Sequence, residues 1–198
     1  MPNWCENSFS VSHKDAEMMK KFVDGVNNGN LFETLVPLPT KDGEWDYGTA
    51  IETWGTKWDV SDGNIDVGDD GLSASGFFNT AWGPGVEAYR KLTELGFELD
   101  VVYFEPGMCF IGRYTSEDDH ESMEYDFENE NWRDDIYDDE ILERLESEYE
   151  SWKEWQEECE EDFKAYDEEL EANGVTDDDM NDAIEEYSFR EEEEDGSE

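Results

Sequence analysis

Cationic side chains are scarce in this chain. Its 198 residues carry 13 Lys or Arg against 58 Asp or Glu, a formal net charge of −45. Nucleic-acid phosphates are held by clustered cations, so direct binding of DNA or RNA is not expected. Long apolar runs are missing too. Nothing approaches the roughly 18 consecutive apolar residues of a membrane span, and no basic-then-apolar leader opens the sequence. The expected setting is therefore the cytoplasm, with no membrane contact. Cysteine is limited to Cys5, Cys109 and Cys159, far apart and without a Cys-x-x-Cys. Reduced, partly buried thiols follow, with no disulfide frame. His13 and His120 have no partners at zinc-ligand spacing, so neither a metal nor a cofactor is expected. Carboxylate pairs are so abundant that no single one stands out as an acid–base pair. No catalytic residue is assigned, and the chain reads as a binding protein rather than an enzyme.

Aromatic residues are present in force, at 14% with 8 Trp, which a disordered acidic chain would not carry. The charge is also uneven: residues 1–115 hold 8 bases and 19 acids, whereas residues 116–198 hold 5 and 39. No internal repeat is visible.

The first half alternates strand and helix patterns. Cys5, Asn7, Phe9 and Val11 alternate with polar neighbours in a strand. Ser12 and Asp15 stand at capping-box spacing before a helix with Met19, Phe22, Val23 and Val26 on one face, ended by Asn27-Asn28-Gly29. Pro37 and Pro39 bound a loop. A second strand is predicted over Leu72–Trp82, and Pro84 opens a helix over Val86–Leu95. Leu99, Val101 and Tyr103 alternate in a third strand. A type II turn at Glu105-Pro106-Gly107-Met108 returns the chain along Met108–Tyr114. The acidic stretch from Asp59 through Asp62, Asn64, Asp66, Asp69 and Asp70 does not fit a calcium loop and reads as a solvated turn. This order predicts an α+β fold, an antiparallel sheet with helices on one face.

Several of these segments carry distinctive motifs: Met1-Pro2-Asn3-Trp4-Cys5-Glu6-Asn7, Trp54-Gly55-Thr56-Lys57-Trp58-Asp59, Asn79-Thr80-Ala81-Trp82-Gly83-Pro84, Tyr103-Phe104-Glu105-Pro106-Gly107 and Phe110-Ile111-Gly112. Together, over about residues 1–128, they resemble the YubB ferredoxin-like family of phages and conjugative plasmids. Gly85 departs from the pattern, where the family tends to have another Pro. The acidic C-terminal extension also lies outside it. The resemblance implies a ferredoxin-like domain over 1–128 and a mobile-element origin, hence a host-cell cytoplasm. It implies no catalytic residues.

Beyond that domain an acidic helical extension is expected over 129–190 and a disordered acidic tail over 191–198. Met123, Tyr125 and Phe127 alternate with Glu124, Asp126 and Glu128 in one more strand, paired with Met108–Tyr114. A long helix is predicted from Tyr137 to Ala172. Its seam is Leu142, Leu145, Tyr149, Trp152, Gln156, Cys159, Phe163, Tyr166 and Leu170, at heptad spacing. Asn173-Gly174 ends it, and a short last helix runs through Ala183, Ile184 and Tyr187. The seam should be buried, against the sheet, the short last helix or a partner, because exposed it would form a large apolar patch.

The long helix holds 17 acids and 3 bases over Tyr137–Ala172. At about 1.5 Å per residue this is about one net charge per 3.9 Å, close to the roughly 3.4 Å per phosphate of one DNA strand. Like charges four apart, such as Glu146/Glu150 and Glu157/Glu161, destabilise the helix. The leading expectation is an accessory protein that inhibits a basic host DNA-binding or nuclease protein (restriction, CRISPR or another defence nuclease) by acidic DNA mimicry. Its partner-binding residues would be Glu124, Asp126, Glu128, Glu143, Glu146, Glu150, Glu154, Glu157, Glu158 and Glu161. One alternative is a small-ligand or enzymatic face lined by Trp54, Lys57, Trp58 and Trp82, with Asp59 as a second polar handle. Another is a coiled-coil assembly protein, a homodimer through the heptad seam. Salt adaptation and a purely solubilising extension remain bland alternatives.

Overall fold

A computed structural model describes residues 3–41, 44–134, 136 and 138–172. It divides the chain into two compact units, Met1–Leu142 and Glu143–Glu198. The Asn173-Gly174 stop, the short last helix and the acidic tail lie outside the described residues.

The first unit is α+β. Strand β1 (Trp4–Ser12) leads into helix α1 (Ala16–Asn28), which Asp15 caps through the Glu17 amide and Gly29 ends at φ 68°. The cap is thus Asp15 itself, not Ser12. Two short helices follow, α2 (Leu31–Leu35) and α3 (Tyr47–Trp54). Then come β2 (Ser61–Val67), β3 (Ser73–Ala81), α4 (Val86–Glu94), β4 (Glu98–Glu105), β5 (Phe110–Thr115) and β6 (Asp119–Glu124). Every strand pairing is antiparallel, and the order across the sheet is β2-β3-β1-β4-β5-β6.

Register fixes the two faces. Phe9 lies opposite Gly76 and Val101, and Val11 opposite Ala74 and Leu99. That face is buried with Met19, Phe22, Leu31, Phe32, Trp54, Tyr89 and Leu92 from the helices. Gly85 belongs to this packing: a Cβ there would stand 2.7 Å from the Phe32 ring. Across the far half of the other face, Tyr125 stacks on Phe104 at 5.7 Å and 14°, followed by Phe127 and Trp132. Trp132, Ile136 and Ile141 are buried, so the first unit extends to Leu142, past the expected boundary at Glu128.

Several sequence expectations need correction. The acidic stretch after Asp59 is not a turn: Ser61–Val67 forms β2, an edge strand, where charged side chains reach water and a bulge at Asp62 (φ 49°) breaks the register. The hairpin loop between β4 and β5 places its left-handed residue at Cys109 (φ 53°), not at Gly107, so it is not the type II turn expected. The last strand ends at Glu124 and takes in neither Asp126 nor Glu128. Tyr125 leaves the ladder to stack on Phe104, and the Asp126 carboxylate accepts the Glu128 amide in a local turn. Of the three thiols, only Cys5 is buried.

Helix α5 (Asp139–Ala172) has 34 residues and so spans about 51 Å. Asp138 caps it, accepting the Glu140 and Ile141 amides at 2.9 and 3.1 Å. Arg113 on β5 binds Asp100 through two nitrogens and reaches Asp138 at 2.9 Å and Glu140 at 3.3 Å. The helix start is therefore fixed electrostatically.

Candidate functional site

Two surfaces collect the residues singled out by the sequence. The first forms where the start of β1 meets the end of β3. Gly55, at φ 82°, ends α3 and sends the chain through Thr56, Lys57 and Trp58. The Thr56 hydroxyl donates to the Ala81 carbonyl at 3.0 Å, tying this loop to the end of β3. Lys57 then lies over two indoles, its ammonium 4.5 Å from the Trp58 centroid and 4.9 Å from that of Trp82. Trp4 packs against Trp58 with centroids 6.2 Å apart, and Trp45 donates its indole N–H to the Lys57 carbonyl at 3.0 Å. Four tryptophans and one lysine thus meet in one patch, and each tryptophan is between 38% and 50% exposed.

Trp82 is held at φ 69°, in the left-handed region that a bulky side chain rarely adopts. Its amide donates to the Asn3 carbonyl at 2.9 Å, and the Thr80 hydroxyl donates to the Gly83 carbonyl at 2.7 Å. Such a conformation costs on the order of 1–3 kcal/mol, so the surrounding contacts must hold it.

Beneath these rings lies a buried polar network. The Asn7 amide donates to the Cys5 carbonyl, the Phe78 carbonyl and the Thr80 hydroxyl, and its oxygen accepts the Tyr89 hydroxyl at 2.7 Å. Burial pushes the Cys5 thiol up to about 12, although its hydrogen bond with Thr80 acts the other way. Cys5 is therefore a protonated core residue at neutral pH, not a nucleophile. The network is a rigid floor for the motif residues.

Of the expected ligand face, Lys57, Trp58 and Trp82 come together, but Trp54 does not join them. Its ring is buried in the core, and its N–H donates to the Val36 carbonyl at 2.7 Å. It is the last residue of α3, and its ring packs against Phe32 of α2 with centroids 5.8 Å apart. Asp59 is no polar handle either. Its carboxylate accepts the Phe32, Glu33 and Val60 amides and caps α2. Trp4 and Trp45 take the vacated places. Trp4 was legible only as part of a motif, and Trp45 carries no sequence signal beyond being a tryptophan in a loop.

The second surface is α5. Glu143, Glu146, Glu150, Glu154, Glu157 and Glu161 follow one another at intervals of 3, 4, 4, 3 and 4 residues. At about 100° per residue they occupy an arc of roughly 80°, with Glu158 at its edge. All seven are exposed, as are Glu124, Asp126 and Glu128 in the first unit. The stripe places about one carboxylate per helical turn, and the helix as a whole holds 16 acids and 3 bases. Lys153 offsets part of this, approaching Glu150 at 3.5 Å.

The apolar seam runs along the opposite side of α5, and it is covered at its start but open from Gln156 to Tyr166. Leu145 is fully buried and Tyr149 and Trp152 are half-buried, stacked at 5.7 Å. Trp155, Phe163 and Tyr166 are 59%, 68% and 56% exposed, so the expected burial of the Leu145–Trp152–Phe163–Tyr166 seam fails beyond Trp152 in the single chain.

Among the described residues no cluster of His, Cys, Asp or Glu is arranged to hold a metal ion, and no helix is long and apolar enough to cross a membrane. Comparison with protein-family models, with curated proteins and with solved structures finds no match.

Proposed function

We propose that this protein acts by occupancy: the acidic face of α5 enters the nucleic-acid groove of a basic, DNA-handling protein and blocks it. The observation that carries this reading is the stripe from Glu143 to Glu161, six exposed carboxylates on one face of an unbroken helix. A solubilising extension needs no such alignment. It needs no capped helix start either, and here Asp138, Arg113 and Asp100 fix one. Carboxylates once per turn, reinforced by the acids on the flanks of the helix, present a cationic groove with a dense line of negative charge.

The same proposal extends to origin and fold. The order β1-α1-β2-β3-α4-β4, apart from the short α2 and α3 between α1 and β2, and the adjacency β2-β3-β1-β4 support the reading as a ferredoxin-like domain, to which β5 and β6 would add an edge. The motifs at Trp4–Asn7, Trp54–Asp59 and Asn79–Pro84 meet at one end of that sheet, which fits their reading as a YubB-type signature. A mobile-element origin would make host restriction, CRISPR and related nucleases the target class, met in the host cytoplasm.

The test is capture from a host lysate at low salt, followed by displacement. A DNA-handling protein should elute in a salt gradient, and duplex DNA should compete with this chain for it. Replacing Glu150, Glu154, Glu157 and Glu161 by Gln should weaken that competition. Undiminished displacement of duplex by the four-Gln variant would remove α5 from the mechanism.

A further inference from the structure

We propose that the Trp4–Trp45–Trp58–Trp82 patch is a second contact surface for the same kind of partner, and that it takes arginine side chains on its indole faces. The inference rests on the reading of this chain as a binder of basic proteins, but its evidence comes from a different unit of the molecule. The four rings are joined by direct contacts: Trp4 against Trp58, Lys57 over Trp58 and Trp82, and Trp45 bonded to the Lys57 carbonyl. All are more than a third exposed, in a protein that buries Phe22, Phe32 and Tyr89 completely. Tryptophan in such numbers on a surface is characteristic of interface anchors.

The chemistry of the occupant follows from two observations. Lys57 shows that the patch accepts a side-chain cation, at 4.5 and 4.9 Å from two indole centroids. Among the described residues no carboxylate lies within ion-pairing distance of that ammonium, although Lys20, Arg90 and Arg113 are all paired with acids in this unit. The rings therefore do for a cation here what carboxylates do elsewhere in the chain. The net charge of −45 selects a cationic partner as well and disfavours an anionic one. Among cations, guanidinium is planar and weakly hydrated and stacks on indole, so arginine fits better than lysine.

The strained backbone adds a separate argument. Trp82 sits at φ 69°, where glycine would be at ease, and its ring nonetheless stays 44% exposed. A large side chain that holds an unfavourable conformation and still leaves nearly half of its surface open is explained by what it presents to the outside.

The experiment uses the full chain and two probes, nona-arginine and nona-lysine peptides, titrated calorimetrically at constant ionic strength. Four proteins are compared: the unaltered chain, Trp82→Gly, Trp4→Ala, and the four-Gln variant of α5. Trp82→Gly suits the local φ and should melt no lower than the parent, which separates loss of the ring from loss of the fold. Nona-arginine should bind about fivefold tighter than nona-lysine, and each Trp variant should lose most of that preference. The four-Gln variant should bind both peptides more weakly while keeping the preference. An arginine preference that survives both Trp variants, or no preference in the parent, overturns the proposal. Unchanged affinity of the four-Gln variant for both peptides would instead count against the acidic-helix reading and leave the patch to be judged by its own variants.

Discussion

In the first unit, polar and charged groups are tied down. Arg113 meets Asp100, Asp138 and Glu140, Arg90 meets Glu87 and Asp119, and Asn7 spends both ends of its amide on buried partners. Its exposed aromatic surface includes one organised patch around Lys57. Along α5 beyond Leu145 the balance reverses. Carboxylates outnumber cations several-fold, and Trp155, Phe163 and Tyr166 stand open to solvent. The first unit draws its stability from within itself. The exposed length of α5 gains little from its own side chains.

Substitution should expose this asymmetry most sharply in the core. Asn7→Ala leaves the Tyr89 hydroxyl and the Phe78 carbonyl short of a buried partner and should cost about 3 kcal/mol in urea unfolding. Phe163→Ala, at a position 68% exposed, should stay within about 0.5 kcal/mol of the parent. Equal losses at the two sites would erase the contrast between the units.

Arg113→Ala tests the tether at the start of α5. It leaves Asp100, Asp138 and Glu140 facing one another, but all are partly exposed, so the loss should be about 1 kcal/mol. Hydrogen exchange should rise at the Glu140 and Ile141 amides more than in β1. Uniform acceleration across the sheet would mean that Arg113 supports the core rather than the helix start.

Acid should act in two opposite directions. Burial pushes the Asp138 carboxyl up, but the Ile141 amide, Arg113 and the Glu140 amide together bring it below its ordinary value. Asp119, held low by Arg90, and Asp46, held low by Thr49, share the sign. Such groups stabilise the fold above the unfolded carboxylate value of about 3.9 and lose that effect as pH falls through their lower folded values. Asp59 runs the other way: burial raises it in spite of three amide hydrogen bonds, so the fold gains as pH descends from neutrality through its folded value. Relief of repulsion along α5 adds to that gain. The urea midpoint should therefore peak at about pH 4 to 5 and drop below it. A steady fall from pH 7 would show that the paired carboxylates outweigh the crowded ones throughout.

The smallest effect expected is on α5 alone. The four-Gln variant should be as stable as the parent or gain about 0.5 kcal/mol, since repulsion at i,i+4 exceeds the loss of the Lys153–Glu150 pair. Raising salt from low ionic strength should lift the melting temperature of the parent more than that of the variant. Identical salt responses would show that these four charges lie too far apart to matter.

Local pattern carried much of this fold. The alternation of Cys5, Asn7, Phe9 and Val11 placed β1, the run from Met19 to Val26 placed α1, and the heptad spacing placed α5 to within two residues of its start. Edge strand β2 was missed because its residues, Ser-Asp-Gly-Asn-Ile-Asp-Val, resemble a turn; only pairing with β3 makes them a strand. Helices α2 and α3 are too short to show a period. The acidic stripe on α5 was legible because helical spacing alone fixes a face. The lysine–tryptophan patch was half legible: Lys57, Trp58 and Trp82 stood in motifs, whereas Trp54 was misplaced and Trp45 unseen.

Sequence by itself determined the properties that depend on neighbours a few residues apart: net charge, its concentration in the C-terminal half, the long helix and the side on which its glutamates fall. Contacts between distant residues were decided only by the tertiary structure. Which tryptophan is buried depends on whether another element meets it, as Phe32 of α2 does at Trp54, or the chain leaves it beside Lys57, as at Trp58. Register sets a similar constraint at Gly112, where a Cβ would strike the Tyr103 hydroxyl as it reaches across β5 to the Glu121 carbonyl. Burial is a property of the packed whole, since a side chain loses water only when another element arrives to displace it.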